Sequence, residues 1–270
     1  MRVKDVLNVL IANIRNANYN NKMIKLFYYI DTPNFGDLLS PIIIEWLSNR
    51  KTVWVDAEET NKLVSTGSLI SSVRENDVVW GSGLIADYEL DLPETAKIIA
   101  VRGPLTRDRI KNVYVPEIYG DPVLLMPRIY HPNIEKQYKI GCIPHYVDKD
   151  RFNLSDKILT IDVNHPNPLE TIDKILSCEI IISTSLHGII AAEAYGIPAI
   201  WLRVSDGIIG GVFKFNDYLA STNREASPII FNEIVTDEDI LKVLDSILPI
   251  PKINIDLLIE AWNNYYNGGN

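Results

Sequence analysis

His187 follows the small polar loop Ser183-Thr184-Ser185 and stands at the mouth of an alanine-rich helical stretch that opens with Gly188. Free amides at a helix start form an anion site, and the three hydroxyls and the imidazole add donors and a proton carrier. A histidine in this setting can donate to a phosphate or move a proton; the plainer alternative is a satisfied structural histidine. A second histidine, His145, falls just past the strand-like run Lys139–Ile143. The loop Asp31–Asp37 carries Asn34, Gly36 and Asp37, residue types that serve equally for turn chemistry and for ligand contacts. Gly81-Ser82-Gly83 leaves backbone amides open to a ligand, a weak signal because loops need glycine in any case.

Arg102 and Arg107 flank Pro104, which reads as a helix start. Cations near the positive end of a helix dipole cost stability, so they either have an anion to meet or pair with neighbours such as Asp108. Arg203 lies just past the apolar run Ala199–Leu202. Asp121, ahead of Pro122, reads as a helix cap. Glu193, inside the helix after His187, reads equally as a buried or a catalytic acid.

Residues so placed need strands to carry them. Short β-branched or aromatic runs alternate with helical patterns from residue 24 onward: Lys25–Ile30, Thr52–Val55, Val78–Trp80, Ile98–Val101, Val113–Val115, Lys139–Ile143, Ile158–Asp162, Ile180–Ser183 and Ala199–Leu202. Several are continuously apolar, as strands buried on both faces are, and the intervening helices suit right-handed crossovers. Ser40 before Pro41 predicts a helix start. The Pro-containing stretch Met126–Gln137 predicts a linker, and the tail predicts helices over Asp239–Leu248 and Asp256–Tyr266. The expected fold class is α/β: two Rossmann-like domains with mainly parallel sheets, over residues 1–130 and 131–270, with the last helix able to cross back onto the first domain. In such folds ligands sit beyond the carboxyl ends of the strands, here in the cleft between the domains.

The 270 residues are 23% charged and 47% hydrophobic, which excludes disorder and a disulfide scaffold. A net charge of −9 supplies no field to draw in nucleic acid, so an anionic ligand needs a local cationic pocket. Residues 1–26 run against that total: Arg2, Lys4, Arg15, Lys22 and Lys25 against Asp5 make this segment +4 and the remainder −13. Val3, Val6, Leu7, Leu10, Ile11 and Ile14 recur at helical spacing, giving an amphipathic helix with basic edges. It either packs on the domain or makes a peripheral membrane contact through residues 1–20. Cys142 and Cys178 have no partner at metal spacing and read as buried thiols; no metal site is expected. No apolar run approaches the roughly 18 residues of a membrane span, and no leader pattern is visible, so a cytoplasmic protein is expected.

Six segments together resemble the polysaccharide pyruvyl transferase family: NFGDLLSP at 34–41, GSG at 81–83, VRGPLTR at 101–107, GDPVLLMP at 120–127, IPHYVD at 143–148 and STSLHGIIAAEAYGIPAIWL at 183–202. The resemblance implies a GT-B-like fold and phosphoenolpyruvate as donor substrate, with no other cofactor. The acceptor would be a sugar of a surface polysaccharide or its precursor, free or lipid-linked. It implies His187 as general acid or phosphate ligand, and Asp37 or His145 as groups that bind or deprotonate the acceptor hydroxyl. Arg102, Arg107, Ser183, Thr184, Ser185, Gly188 and Arg203 would bind the donor, and Asn34, Gly36, Gly81, Ser82 and Gly83 the acceptor. Where many members carry Arg-Leu-His, this chain has Ser185-Leu186-His187, so the charge of the donor clamp must come from elsewhere. A glycosyltransferase using a nucleotide-sugar, and a non-catalytic member of a polysaccharide assembly complex, are the competing readings. Oligomeric state is not readable.

Overall fold

The computed structural model describes residues 23–249, 251 and 254–266. The basic helix expected over Val3–Ile14, and with it the membrane contact through residues 1–20, lies outside the described residues. Among those described, no helix is long and apolar enough to cross a membrane.

The first half builds a parallel sheet in the order β2-β1-β3-β4-β5 from β1 (Ile24–Phe27), β2 (Thr52–Trp54), β3 (Leu63–Val64), β4 (Val78–Trp80) and β5 (Lys97–Ala100). Helices α1 (Phe35–Ser48), α2 (Pro104–Arg109) and the short α3 (Met126–Ile129) accompany it. The second half contributes β6 (Tyr138–Ile143), β7 (Phe152–Asn153) and β8 (Ile158–Thr160), then α4 (Pro168–Leu176), β9 (Cys178–Ser183), α5 (Leu186–Ala194) and β10 (Ala199–Arg203). It continues with α6 (Phe213–Ser221), β11 (Ile229–Ile230), β12 (Val235–Thr236), α7 (Asp237–Lys242) and α8 (Asp256–Tyr266). Its main sheet is also parallel, in the order β11-β10-β9-β6-β8, while β12 pairs with β7 apart from it. The α/β class and the parallel pairing agree with the sequence reading.

Continuous burial explains the apolar strands: all three residues of β4 are buried, as are the last three of β9. The register of β6 with β9 pairs Ile143 with Ser183, so the two strands end level. The loops that follow therefore meet, and the His145 amide donates to Thr184 Oγ1 at 2.8 Å. Helix α8 lies against the first sheet: Trp80 Nε1 donates to the Leu258 carbonyl at 2.9 Å, and the Trp80 and Trp262 rings meet edge to face at 5.2 Å.

Several local expectations are corrected. Helix α1 starts at Phe35, five residues before Ser40: Asn34 is its N-cap, with Oδ1 accepting from the Gly36 amide at 3.1 Å, and Pro41 lies inside the helix. The buried stripe Phe35, Leu38, Leu39 and Ile43 outweighs the backbone bond that Pro41 cannot make. Met126–Ile129 is helical and Met126 is fully buried, so the irregular connection is confined to residues 130–137. Val113–Val115 forms no strand: Val113 and Val115 pack against the core while Tyr114 is 83% exposed, and the segment lies between two isolated bridges, Leu90 with Ile110 and Val101 with Tyr119. Helix α7 ends at Lys242, short of the expected Leu248. Cys142 and Cys178 are buried free thiols; burial pushes Cys178 up to about 11 and Cys142 higher still.

Candidate active site

A cavity of about 330 Å³ opens where the carboxyl ends of strands from both sheets deliver their loops. From the first half come Tyr29, Thr32, Asn34 and Asp37 after β1, Ser68 after β3 and Ile85 after β4. From the second come His145 and Tyr146 after β6, Ser185 and His187 after β9, and Ile209 and Lys214 after β10.

His187 sits in the first turn of α5, its ring edge-on to Phe35 with centroids 6.5 Å apart. Gly36 makes room for it: a Cβ there would lie 2.0 Å from His187 Nδ1. On the other side of the ring, Nε2 stands 3.5 Å from Asp121 Oδ2, and neither of these buried atoms has a hydrogen-bond partner among the described residues. Asp121 also caps the turn Pro122–Leu125, as expected, with Oδ1 accepting from the Val123 amide at 3.0 Å.

The rest of the loop is internal carpentry. Ser183 Oγ accepts from the Ser185 amide and lies 2.9 Å from the carbonyls of Ile143 and Ser185. Thr184 Oγ1 holds the His145 amide, and Gly188 lets α5 approach Ser183, whose Oγ would be 2.5 Å from a Cβ. Of the expected donor loop, Ser185 and His187 line the cavity.

Besides the phenols of Tyr29 and Tyr146, three other titratable groups share the cavity. Asp37, in the first turn of α1, is pushed up to about 6, mainly by burial and further by the Asp121 charge, against the pull of His187 and Lys214. Lys214 is pushed down to about 8 by burial and by the Arg102 cation, with Asp37 and Asp148 opposing. His145 is pushed down to about 4, mainly by burial and then by the Lys214 charge, so it is neutral at pH 7. Its Nδ1 accepts from the Val147 amide at 3.4 Å, which leaves the proton on Nε2.

The structure does not bring Arg102, Arg107 and Arg203 together. Arg102 is fully buried: Nε donates to Asp217 Oδ2 at 3.0 Å, Nη1 to Ser68 Oγ at 2.6 Å and Nη2 to the Leu84 carbonyl at 2.6 Å. Its neighbour Thr106 bonds Asp217 through both its amide and its hydroxyl. Arg107 pairs on the surface with Asp108 and Glu117. Arg203 pairs with Asp206 beside a separate cavity that it shares with Arg151. In the GSG segment, Gly81 (φ +84°) packs against Pro122, Gly83 against the Arg102 guanidinium, and Ser82 Oγ donates to the Gly67 carbonyl; none of the three lines the cavity. Glu193 is buried in a network with Arg224 and Tyr218, away from the cavity wall.

Sequence reasoning missed Lys214, the one lysine or arginine among the described lining residues. It is fixed by its neighbours: Phe213 and Phe215 are buried, Phe215 stacks on Trp201 of β10 at 4.6 Å, and Asp217 is tied to Arg102 and Thr106. The signal was present, since Lys214 follows the turn glycines Gly210-Gly211 in the connection after a strand and sits in the first turn of a helix, where the dipole disfavours a cation. Tyr29, Tyr146 and Ser68 were missed as well.

A model of the polysaccharide pyruvyl transferase family matches residues 90–206. An uncharacterized protein of Acanthamoeba polyphaga mimivirus is 32% identical over 218 residues, 74% of this chain and 75% of that protein. The chain belongs to the polysaccharide pyruvyl transferase family. The succinoglycan biosynthesis protein ExoV of Rhizobium meliloti is 28% identical over 143 residues, 52% of this chain and 44% of that one. A solved structure of a functionally uncharacterized Klebsiella pneumoniae protein superposes with a TM-score of 0.42 at 12% identity, over 86% of this chain and 99% of that one. The stretch matching the pyruvyl transferase model contains Arg102, Asp121, His145, His187 and Arg203, whereas Asn34, Asp37 and Lys214 lie outside it. Part of this cavity's wall is thus contributed by segments beyond the matched stretch.

Proposed function

We propose that the chain transfers a pyruvyl group from phosphoenolpyruvate to two hydroxyls of a sugar in a surface polysaccharide or its precursor, forming a cyclic ketal and releasing phosphate. The observation that carries this reading is the convergence of His187, Asp37 and Lys214 in one cavity beyond the strand ends. His187 donates a proton to the enol methylene, which becomes the methyl group and leaves the adjacent carbon cationic. One sugar hydroxyl adds to that carbon, the carbon–oxygen bond to phosphate breaks, and the second hydroxyl closes the ring. Of the two hydroxyl protons released, one balances that taken up by the methyl group and the other leaves with phosphate.

A donor carrying both phosphate and carboxylate needs cations and amides. Lys214, the hydroxyls of Ser68 and Ser185, and the amides at the start of α5 are the groups available. Asp37, near 6, is predominantly a carboxylate at neutral pH and takes the hydroxyl proton; His145 donates from Nε2 to an acceptor oxygen. Arg102 supports the donor side indirectly, holding Ser68 and the helix that carries Lys214. In this reading residues 1–130 and 131–270 form the two halves of a GT-B-like arrangement with the substrate cleft between them, and the reaction runs in the cytoplasm, where phosphoenolpyruvate is made.

The test is acceptor-dependent phosphate release from phosphoenolpyruvate, with His187→Ala and Lys214→Ala as controls. Release that needs both the acceptor and His187 supports the reading. A nucleotide-sugar that raises the Tm where phosphoenolpyruvate does not would assign the chain to glycosyl transfer instead.

A further inference from the structure

Asp121 carries one carboxylate oxygen more than its cap requires. Oδ1 alone accepts from the Val123 amide, a task that serine or asparagine performs as well. Oδ2 is left without a donor in a fully buried residue, and an unpaired buried carboxylate oxygen is costly. The neighbouring unpaired atom is His187 Nε2, equally sealed and 3.5 Å away. Two orphan atoms facing each other account for one another.

We propose that Asp121 is the positioning residue of this site: its Oδ2 accepts from Nε2–H of His187 in both protonation states, so Nδ1 carries the transferable proton, giving it to substrate from the imidazolium and leaving the neutral tautomer protonated on Nε2. The geometry fits on both sides of the ring. Nε2 is shut off from solvent, so it cannot itself meet a ligand, while Nδ1 packs over the Gly36 backbone on the edge of a ring that lines the cavity. Gly36 and Asp121 come from opposite ends of the first half, and together with the near-perpendicular Phe35 ring they define the plane of the imidazole. A fixed tautomer and a fixed plane are what an imidazole needs to serve one proton transfer repeatedly.

The assignment of a proton-transfer role to His187 rests on the function proposed above; the tautomer does not. Asp121→Asn keeps the size and the cap oxygen but turns an NH2 group toward Nε2, so the ring must become an acceptor there and move its proton to Nδ1. Asp121→Ser keeps a cap acceptor and removes the second oxygen. ¹⁵N-histidine NMR of the full chain at alkaline pH, with His187→Gln to assign the resonance, reads the tautomer directly. The expected result is Nε2–H in the wild type, an inverted tautomer in Asp121→Asn and a mixed one in Asp121→Ser, each with a Tm within a few degrees of the wild type. In phosphate release, kcat should fall by about 10²–10⁴-fold with KM within about 3-fold, the pattern of a histidine that has lost its orienting carboxylate. The same tautomer in wild type and Asp121→Asn overturns the proposal, as does an unchanged kcat in an active enzyme. If the tautomer inverts but the wild type releases no phosphate from phosphoenolpyruvate, the Asp121–His187 pairing stands and the pyruvyl-transfer reading falls.

Discussion

Replacing Gly36 with alanine separates the position of His187 from the stability of the fold. Gly36 lies in the first turn of α1, and alanine is favoured over glycine in a helix by up to about 1 kcal/mol. The added methyl would sit 2.0, 2.2 and 2.7 Å from Nδ1, Cγ and Cε1 of His187. Ordinary carbon contacts lie near 3.5–4.0 Å, so the ring must retreat by roughly 1–2 Å. Asp121 Oδ2, 3.5 Å from Nε2, leaves too little room for a straight retreat, so the ring must turn or shift aside and its alignment with Oδ2 is lost. Overpacking costs about 1–3 kcal/mol, and the helix gain offsets part of it, which leaves a net loss of about 0–2 kcal/mol. At about 2–4 °C per kcal/mol for a chain of this size, the Tm falls by no more than about 8 °C. A misplacement of about 1 Å at a reacting group costs on the order of 100-fold in rate. Phosphate release by Gly36→Ala should therefore drop by about 100-fold while the protein stays folded at 25 °C by circular dichroism. Wild-type turnover in a folded Gly36→Ala protein would refute the placement of His187 at the reacting centre.

Removing Arg102 strips Asp217 of its buried cation and should lower stability by about 3–5 kcal/mol, read as a fall in the urea midpoint at unchanged slope; an unchanged midpoint would show that the pair carries no stability. Because the folded-state value of Asp37 is raised from 3.8 to about 6, the folded chain binds the extra proton between those values, and stability falls as pH rises through that window. Asp37→Asn should recover up to about 3 kcal/mol above pH 6 and remove the acid limb of the kcat/KM profile; denaturation at pH 5 and pH 7 checks the sign. For Lys214, depressed from 10.5 to about 8, the folded chain binds fewer protons between those values, so stability rises as pH climbs through them, and phosphoenolpyruvate affinity should weaken above about pH 8. Lys214→Met should bind phosphoenolpyruvate at least about 10-fold more weakly by calorimetry while being no less stable at pH 7. Arg203→Ala, which removes an exposed pair with Asp206, should change stability by less than about 1 kcal/mol and leave donor KM within about 3-fold; a larger rise in KM would bring Arg203 into the donor site.

The strands were legible because burial on both faces leaves an unbroken apolar run, as in Ile180–Ile182, and the turns after them were legible through glycine, proline and capping residues. Strands of two residues, such as Leu63–Val64 and Ile229–Ile230, carry too little pattern to be seen. The start of α1 was misread because Ser40-Pro41 imitates a cap, whereas the helix extends to Asn34 to bury Phe35, Leu38 and Leu39. His187, Asp37 and His145 were found because the carboxyl ends of parallel strands are where ligands sit, and the cavity does contain all three.

The α/β class, the parallel strands and the loops that hold the polar residues depend on periodicity and on local backbone chemistry, and residue order alone reveals them. Which charges are spent on the fold and which are left for a ligand depends on how distant segments pack. Arg102 and Asp217 are 115 residues apart and meet in the interior, so the arginine that looked free is occupied. Lys214, in an unremarkable aromatic helix, is held in the cavity by Phe213, Phe215 and Asp217. Asp121 reads as a cap in sequence, and its second oxygen gains meaning only when α5 brings His187 to within 3.5 Å. Such assignments turn on long-range pairing in a low-dielectric interior, which residue type and spacing along the chain do not record.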